Sequence, residues 1–213
     1  MPNTNLTSSL DLVYQDEALL VLNKPAGLLA VPGRGADKQV CLATQVQAVF
    51  SDALVVHRLD MATSGLMLFA RGATMQYRLS QLFREREVEK RYIAVVSGKL
   101  ESATGEIDLP LSGDWPNRPK QQVNMTEGKP SLTRYRLLSY DAHTDTSRVE
   151  LQPVTGRTHQ LRVHLAAITH PILGDALYGD ISAAPRLLLH ASELSFVHPR
   201  SGELMVCDSE PPF

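Results

Sequence analysis

Cysteine is scarce. Cys41 and Cys207 are the only two in 213 residues. They lie far apart, which excludes a disulfide framework or a Cys-based zinc site and fits a reducing, cytoplasmic setting. Long apolar runs are also missing. The longest, such as Ala18–Leu22 and Leu66–Ala70, are far too short for a membrane-spanning helix. The first ten residues, MPNTNLTSSL, lack the basic start and apolar stretch of a secretion signal and read as polar and loose. There is no internal repeat and no low-complexity segment. Nor is there an excess of positive charge. The net charge of −2 and a pI of about 6.4 argue, taken alone, against a nucleic-acid binder, because phosphate contacts need Lys and Arg.

What is present is the composition of a folded globular protein, 43% hydrophobic and 21% charged. The length fits one large domain or two small ones with a true core. Charge is unevenly spread. Between Asn117 and Arg136, five cations (Arg118, Lys120, Lys129, Arg134 and Arg136) face one acid, Glu127. Between Glu193 and Phe213, four acids face Arg200 alone. A locally basic face on an acidic protein is therefore open, and charge alone does not separate it from ordinary surface variation.

Pattern predicts the elements. Asp11 to Lys24 reads as two strands around a turn at Gln15-Asp16-Glu17. Leu42, Val46 and Val49 give a helix between Val40 and Phe50. Ala53–Val56 and Leu66–Ala70 read as buried strands, and Met75, Leu79, Leu82 and Phe83 as a helix. Further strands are expected at Tyr92–Val96, Leu132–Tyr140 and Arg148–Gln152. A helix is expected from about Thr158 to Ile168, with Leu161, Leu165 and Ile168 inward and Pro171 barring its continuation. The tail reads as a hairpin, Leu194–Val197 and Leu204–Val206 about a turn at Arg200-Ser201-Gly202. Strands outnumber helices without regular alternation, which predicts an α+β fold with a mixed, largely antiparallel sheet and flanking helices. No linker divides the chain.

Four segments could carry chemistry. His57 to Gly65 is a polar stretch pinned between two buried runs, a place where a scaffold presents reactive groups. If Arg58-Leu59-Asp60 is extended, Arg58 and Asp60 share a face, and the guanidinium favours an ionised carboxylate able to act as nucleophile or base. An Arg–Asp pair that only locks a loop, or a turn-forming Asp, is the plainer alternative. In the segment Val154 to His164, Thr158 is a candidate cap. His159 and Arg162 then share a helix face as donors suited to phosphate or carboxylate. A metal site from His159, His164 and His170 is disfavoured, since His159 and His164 are five apart and no HExxH pattern exists. Tyr92 is either an ordinary strand aromatic or a ring that stacks on a base. Asp114 to Gln121 holds the only Trp, two prolines, Arg118 and Lys120, and suits RNA contact unless it is a plain surface turn. A carboxylate-based glycosidase stays open on these grounds, although no second carboxylate partners Asp60 in the sequence.

The same residues resemble the RluA-type pseudouridine synthase family. His57-Arg58-Leu59-Asp60-Met61-Ala62-Thr63-Ser64-Gly65 is similar to its catalytic signature HRLDxxTSG, and Asn23-Lys24-Pro25-Ala26-Gly27-Leu28 to its NKPxGL motif. Lys90 to Ala94 is similar to its strand carrying an active-site Tyr, and Gly156 to His164 to its GRxHQxRxH motif. His170 to Asp175 resembles its HPxxGD motif, and Leu187 to Ala191 its LxLHA segment. Six motifs in order, spanning roughly Asn23 to Pro199, make chance agreement very small. The loop Asp114 to Gln121 and the segment Glu127 to Pro130 look like one short member in particular. That member acts on an anticodon-loop uridine of tRNA and on a uridine of 23S rRNA.

The resemblance implies a central RNA-binding cleft and an isomerisation of uridine to pseudouridine. It implies no redox cofactor, ATP or metal. Asp60 is then the catalytic carboxylate and Arg162 pairs with it. Tyr92 packs against the uracil, Leu188 closes its other side, and Arg58 fills the gap left by the flipped base. Arg118 and Lys120 contact the substrate. The expected partner is RNA, as a tRNA anticodon stem-loop and 23S rRNA, with no DNA, no membrane and a monomeric protein. Longer relatives carry an N-terminal S4 domain. The first motif begins at Asn23, so residues 1–213 are expected to form one catalytic domain without it. The competing readings are a catalytically silent RNA-binding module and a hydrolase that releases free uracil or sugar.

Overall fold

The computed structural model describes residues 10–213; the loose stretch expected over the first ten residues lies, Leu10 apart, outside them. The chain divides into two compact units. The first runs up to Glu89 and takes in Ala191–Pro212; the second is Lys90–His190 with Phe213.

The first unit opens with β1 (Leu12–Gln15) and β2 (Leu19–Lys24), an antiparallel hairpin. Asp16 makes the turn: its Oδ1 accepts the amides of Ala18 (2.7 Å) and Leu19 (2.8 Å). Helix α1 (Leu42–Val49) follows, capped by Cys41 with Thr44 in a reciprocal box. Strands β3 (Ala53–Val55) and β4 (Ser64–Arg71) come next, then α2 (Ala73–Glu85), closed by Arg86 in the left-handed region. β4 lies antiparallel between β2 and β3, with Met67 opposite Leu22 and Phe69 opposite Val55. Leu20, Leu22, Met67 and Phe69 pack on Leu42 and Val46 of α1, whereas Leu19, Val21, Leu66 and Leu68 pack with Leu79 of α2. Both sheet faces are thus covered, which is why β2 and β4 read as unbroken apolar runs rather than alternating ones.

In the second unit, β5 (Glu89–Ser97), β10 (Thr146–Pro153), β9 (Leu132–Asp141) and β6 (Thr104–Asp108) pair in that order, all antiparallel. β7 (Leu111–Gly113) and β8 (Gln121–Val123) form a separate two-stranded ribbon. β10 alternates strictly, with Ser147, Val149, Leu151 and Pro153 buried, as expected of a sheet covered on one side. Helix α3 (Gln160–Ala167) carries Leu161 and Leu165 inward. The chain returns to the first unit through β11 (Leu189–Val197), which pairs antiparallel with β12 (Leu204–Asp208). The result is the α+β class predicted, with three α-helices and mainly antiparallel strands among the described residues. No helix among them is long and apolar enough to cross a membrane.

α3 differs from the sequence expectation at its start. It begins at Gln160, not Thr158, and its N-cap is His159 in the left-handed region (φ 53°, ψ 17°). Thr158 is therefore no cap, and His159 does not lie on the helix face beside Arg162. β6, β7 and β8 were not expected, because short segments such as TGEID, LSG and QQV carry no apolar period.

Candidate active site

Asp60 sits where β3 leaves the sheet. Residues 56–60 are irregular, Met61 and Ala62 turn, and β4 starts at Ser64. Leu59 is buried, Arg58 exposed and Asp60 half-buried, the alternation an extended Arg58-Leu59-Asp60 requires. Three tethers hold this stretch. The Thr63 amide donates to the Asp60 carbonyl (3.1 Å), and the Gly27 amide to the Met61 carbonyl (2.8 Å). Lys24, fully buried, donates its ammonium to the carbonyls of Pro25 (2.9 Å), Leu28 (2.7 Å) and Met61 (3.1 Å). A buried cation is costly unless each N–H finds an acceptor, and here three carbonyls supply that need. Two motifs distant in sequence are thereby locked together.

His57 adds a further tether. As the chain peels away from β4, the amide of the buried Leu68 donates to His57 Nε2 (2.9 Å), and the ring stacks on Phe83 of α2 at 4.5 Å. Nε2 must therefore be unprotonated, which places the proton of a neutral ring on Nδ1. Gly65 completes the segment. It has φ 111°, and a Cβ there would strike the Ala191 backbone of β11.

In the second unit, Arg162 projects inward from α3. Its Nε and Nη2 donate to Asp175 at 2.8 and 2.7 Å, with 5% and 1% of the two side chains exposed. Burial pushes the Asp175 carboxyl up. The Arg162 hydrogen bond and charge, with the amides of Leu177 and Tyr178, outweigh it and hold the group below the usual carboxylate range. The donor face of His159 and Arg162 expected on this helix does not form, because His159 precedes the helix in the left-handed region and Arg162 is buried against Asp175; Gln160 and His164 are buried as well. Gln160 accepts from Thr155 (2.7 Å) and donates to the Leu132 carbonyl (3.0 Å) and to Thr133 Oγ1 (3.1 Å). His164 Nε2 donates to the Leu109 carbonyl (3.0 Å), and Nδ1 lies 2.9 Å from Thr133 Oγ1. His159 Nδ1 lies 2.6 Å from the Tyr178 hydroxyl, and His170 Nδ1 donates to the Ser97 carbonyl (2.9 Å). These histidines thus bond to separate protein groups.

Tyr92 is a half-buried residue of β5 opposite Leu151 of β10. Leu188, also half-buried, is fixed by its backbone: its carbonyl accepts from Val95 (3.1 Å) and its amide donates to Leu173 (3.0 Å). Arg118 and Lys120 stand on the loop between β7 and β8. That loop is rigid, since Asp114 donates to Lys120, Asn117 to Asp114 and Lys120 to Asn117 through their backbones. The Arg118 guanidinium lies 3.3 Å from the ring centroid of Trp115, which is 71% exposed. Sequence reasoning missed the role of Asp175, because a spacing of thirteen residues gives no pairing signal. It also missed Lys24, Tyr178 and Gln160, each of which acts through contacts distant in sequence.

A sequence model described as RNA pseudouridylate synthase matches residues 18–167. The chain belongs to the RNA pseudouridylate synthase family. As such it is an isomerase that converts uridine in RNA to pseudouridine. It is 49% identical over 197 residues to the dual-specificity RNA pseudouridine synthase RluA of Escherichia coli strain K12, covering 91% of this chain and 90% of that one. The protein of the same name from Yersinia pestis is 49% identical over 203 residues, covering 93% and 98%. Among solved structures, human RNA Pseudouridylate Synthase Domain Containing 1 superposes with a TM-score of 0.79 at 30% identity, covering 96% of this chain and 84% of that chain. All motifs from Asn23 to His164 fall inside the family match.

Proposed function

We propose that this pseudouridine synthase has dual specificity. Its substrates are an anticodon-loop uridine of tRNA and a uridine of 23S rRNA, and Asp60 is its catalytic carboxylate. The observation that carries the reading is the near-half identity, over nine-tenths of the chain, to synthases named for dual specificity. In the isomerisation the bond between ribose C1′ and uracil N1 breaks, the uracil turns, and C1′ bonds to C5. C5 loses a proton and N1 gains one, so atoms balance with no co-reactant. Arg162, its orientation set by Asp175, is a substrate-binding residue of the reaction. Tyr92 packs on the uracil, Leu188 closes the opposite side, and Arg58, whose side chain is exposed, fills the place of the flipped base. Arg118 and Lys120 meet the RNA backbone. The two units serve as one catalytic domain that acts in the cytoplasm as a monomer.

The test is pseudouridine mapping of tRNA and 23S rRNA from a strain lacking the gene. Both sites should be unmodified there. The wild-type chain should restore both, and Asp60→Ala should restore neither. Its melting temperature should stay close to wild type, because the turn bond uses the Asp60 backbone carbonyl and survives the change. Restoration by Asp60→Ala sinks the catalytic assignment, and restoration of one RNA class alone sinks dual specificity. Release of free uracil would point instead to a hydrolase.

A further inference from the structure

One residue in the second unit, Tyr178, contacts both β8 and α3 and also the carboxylate that holds Arg162. Tyr178 Oη accepts the amide of Gln121 at 2.7 Å, where β8 leaves the loop carrying Trp115, Arg118 and Lys120. The same oxygen lies 2.6 Å from His159 Nδ1, at the first turn of α3. The Tyr178 amide donates to Asp175 Oδ1 (3.2 Å), the carboxylate that grips Arg162. The Tyr178 ring lies 5.1 Å from the Arg162 guanidinium carbon, within cation–π range. We infer that Tyr178 is a positioning residue that couples the Trp115–Lys120 loop to Arg162, so that RNA docking on the loop fixes the guanidinium for the reaction. This rests on the roles proposed above for Arg118 and Arg162.

The loop is suited to transmit a displacement because it is stiff. Its ends are closed by the Asp114-to-Lys120 backbone bond (3.0 Å), and its middle by the Asn117 side chain on Asp114 Oδ2 (2.9 Å). The stacked Trp115 and Arg118 offer a flat, cationic surface to an unpaired base and its phosphate. A push on this surface reaches Gln121 directly and passes to Tyr178 through a single hydrogen bond. Beyond Tyr178 the path divides between His159 and Asp175, and both branches end on α3. His159 occupies the left-handed region, a costly conformation for a residue with a Cβ. Its ring contact with Tyr178 is an interaction that helps to hold it there. Arg162, three residues on, is set by the same turn.

The experiment is a double-variant cycle on pseudouridine formation in an anticodon stem-loop RNA, with kcat and KM measured separately. Tyr178→Phe removes the oxygen and keeps the ring. It should lower kcat by about tenfold or more, as misplacement of a reacting group does, with KM changed less. Arg118→Ala should lower kcat/KM on its own. The double variant should be no worse than the poorer single variant to within about twofold, because both changes cut one path. Multiplicative loss in the double variant overturns the coupling, as does a Tyr178→Phe enzyme that melts earlier but keeps the wild-type kcat. If Arg118→Ala alone changes nothing, it is the proposed RNA contact of the loop that fails. If Tyr178→Phe does not fold, His159→Gly serves in its place, since glycine accepts the left-handed backbone. The same non-multiplicative result with Arg118→Ala is then expected, and multiplicative loss overturns the proposal.

Discussion

At the scale of single residues, burial decides what each charge is for. Asp60 is half-buried, whereas Arg162 and Asp175 are sealed from solvent. Removing one member of such a pair leaves the other charge buried without compensation. Asp175→Asn is expected to cost about 3–5 kcal/mol in urea denaturation; a loss under about 1 kcal/mol would show that the pair is not held as described. His57 makes a subtler case. Its ring is needed as an acceptor for the Leu68 amide, not as a charge. His57→Gln offers an acceptor oxygen, whereas His57→Phe keeps the stack on Phe83 and leaves the amide unpaired. The Phe variant should be less stable than the Gln variant by about 1–3 kcal/mol. Equal stability of the two would mean that another acceptor replaces the ring. Sequence made Asp60 conspicuous because it stands in a polar stretch between apolar runs. It could not reveal Asp175 or Lys24 as anchors, since their partners are set by the fold.

At the scale of elements, periodicity succeeded where an element had one buried face or was buried throughout. Leu19–Leu22 and Leu66–Ala70 were legible as strands from their unbroken apolar runs, and α1 from Leu42 and Val46. It failed at β6 to β8, which are too short to show a period, and at the start of α3, where a left-handed His159 takes the place of the expected Thr158 cap. The motif glycine Gly65 shows why a family pattern carries more than periodicity does. Its positive φ and the Ala191 backbone beside it leave no space for a methyl group. Gly65→Ala should force β4 and β11 apart and destabilise the protein well beyond the roughly 1 kcal/mol of an ordinary substitution. A melting temperature equal to wild type would show that the β4–β11 pairing yields readily at this point.

At the scale of the whole molecule, a net charge of −2 seemed at odds with an RNA substrate, and the proposed reading relieves the conflict by placing RNA contacts on the cation-rich stretch from Asn117 to Arg136. The cations proposed to meet RNA are few, so their loss should be visible one at a time. Arg118→Ala or Lys120→Ala should each weaken RNA binding most at low salt. Each should flatten the dependence of log affinity on log salt by about one unit of slope. An unchanged slope would remove that residue from the phosphate contacts.

Stability across pH should carry two marks of the buried polar groups. Burial lowers the pKa of His164, against smaller opposing effects of the Leu109 carbonyl and Asp108. The geometry agrees: Nε2–H is spent on Leu109, and Thr133, which accepts from Gln160, can donate to Nδ1 only while that nitrogen is unprotonated. The folded protein therefore resists protonating His164, while the unfolded chain takes the proton near the ordinary value of about 6.5. Between those two pKa values the unfolded state binds more protons, so stability falls as pH falls, by at most about 1.4 kcal/mol per pH unit from this group. Asp175 and Asp16 act lower down. Both have lowered folded pKa values, Asp16 because its amide and Tyr14 hydroxyl donors and His198 outweigh burial. Their stabilisation is complete above about pH 3.9 and is lost as pH falls through their folded values. Urea denaturation of the wild type from pH 8 downward should thus show one decline beginning near pH 6.5 and a second below pH 4. His164→Gln should flatten the first and leave the second. An unchanged first decline in that variant would place the titrating group elsewhere.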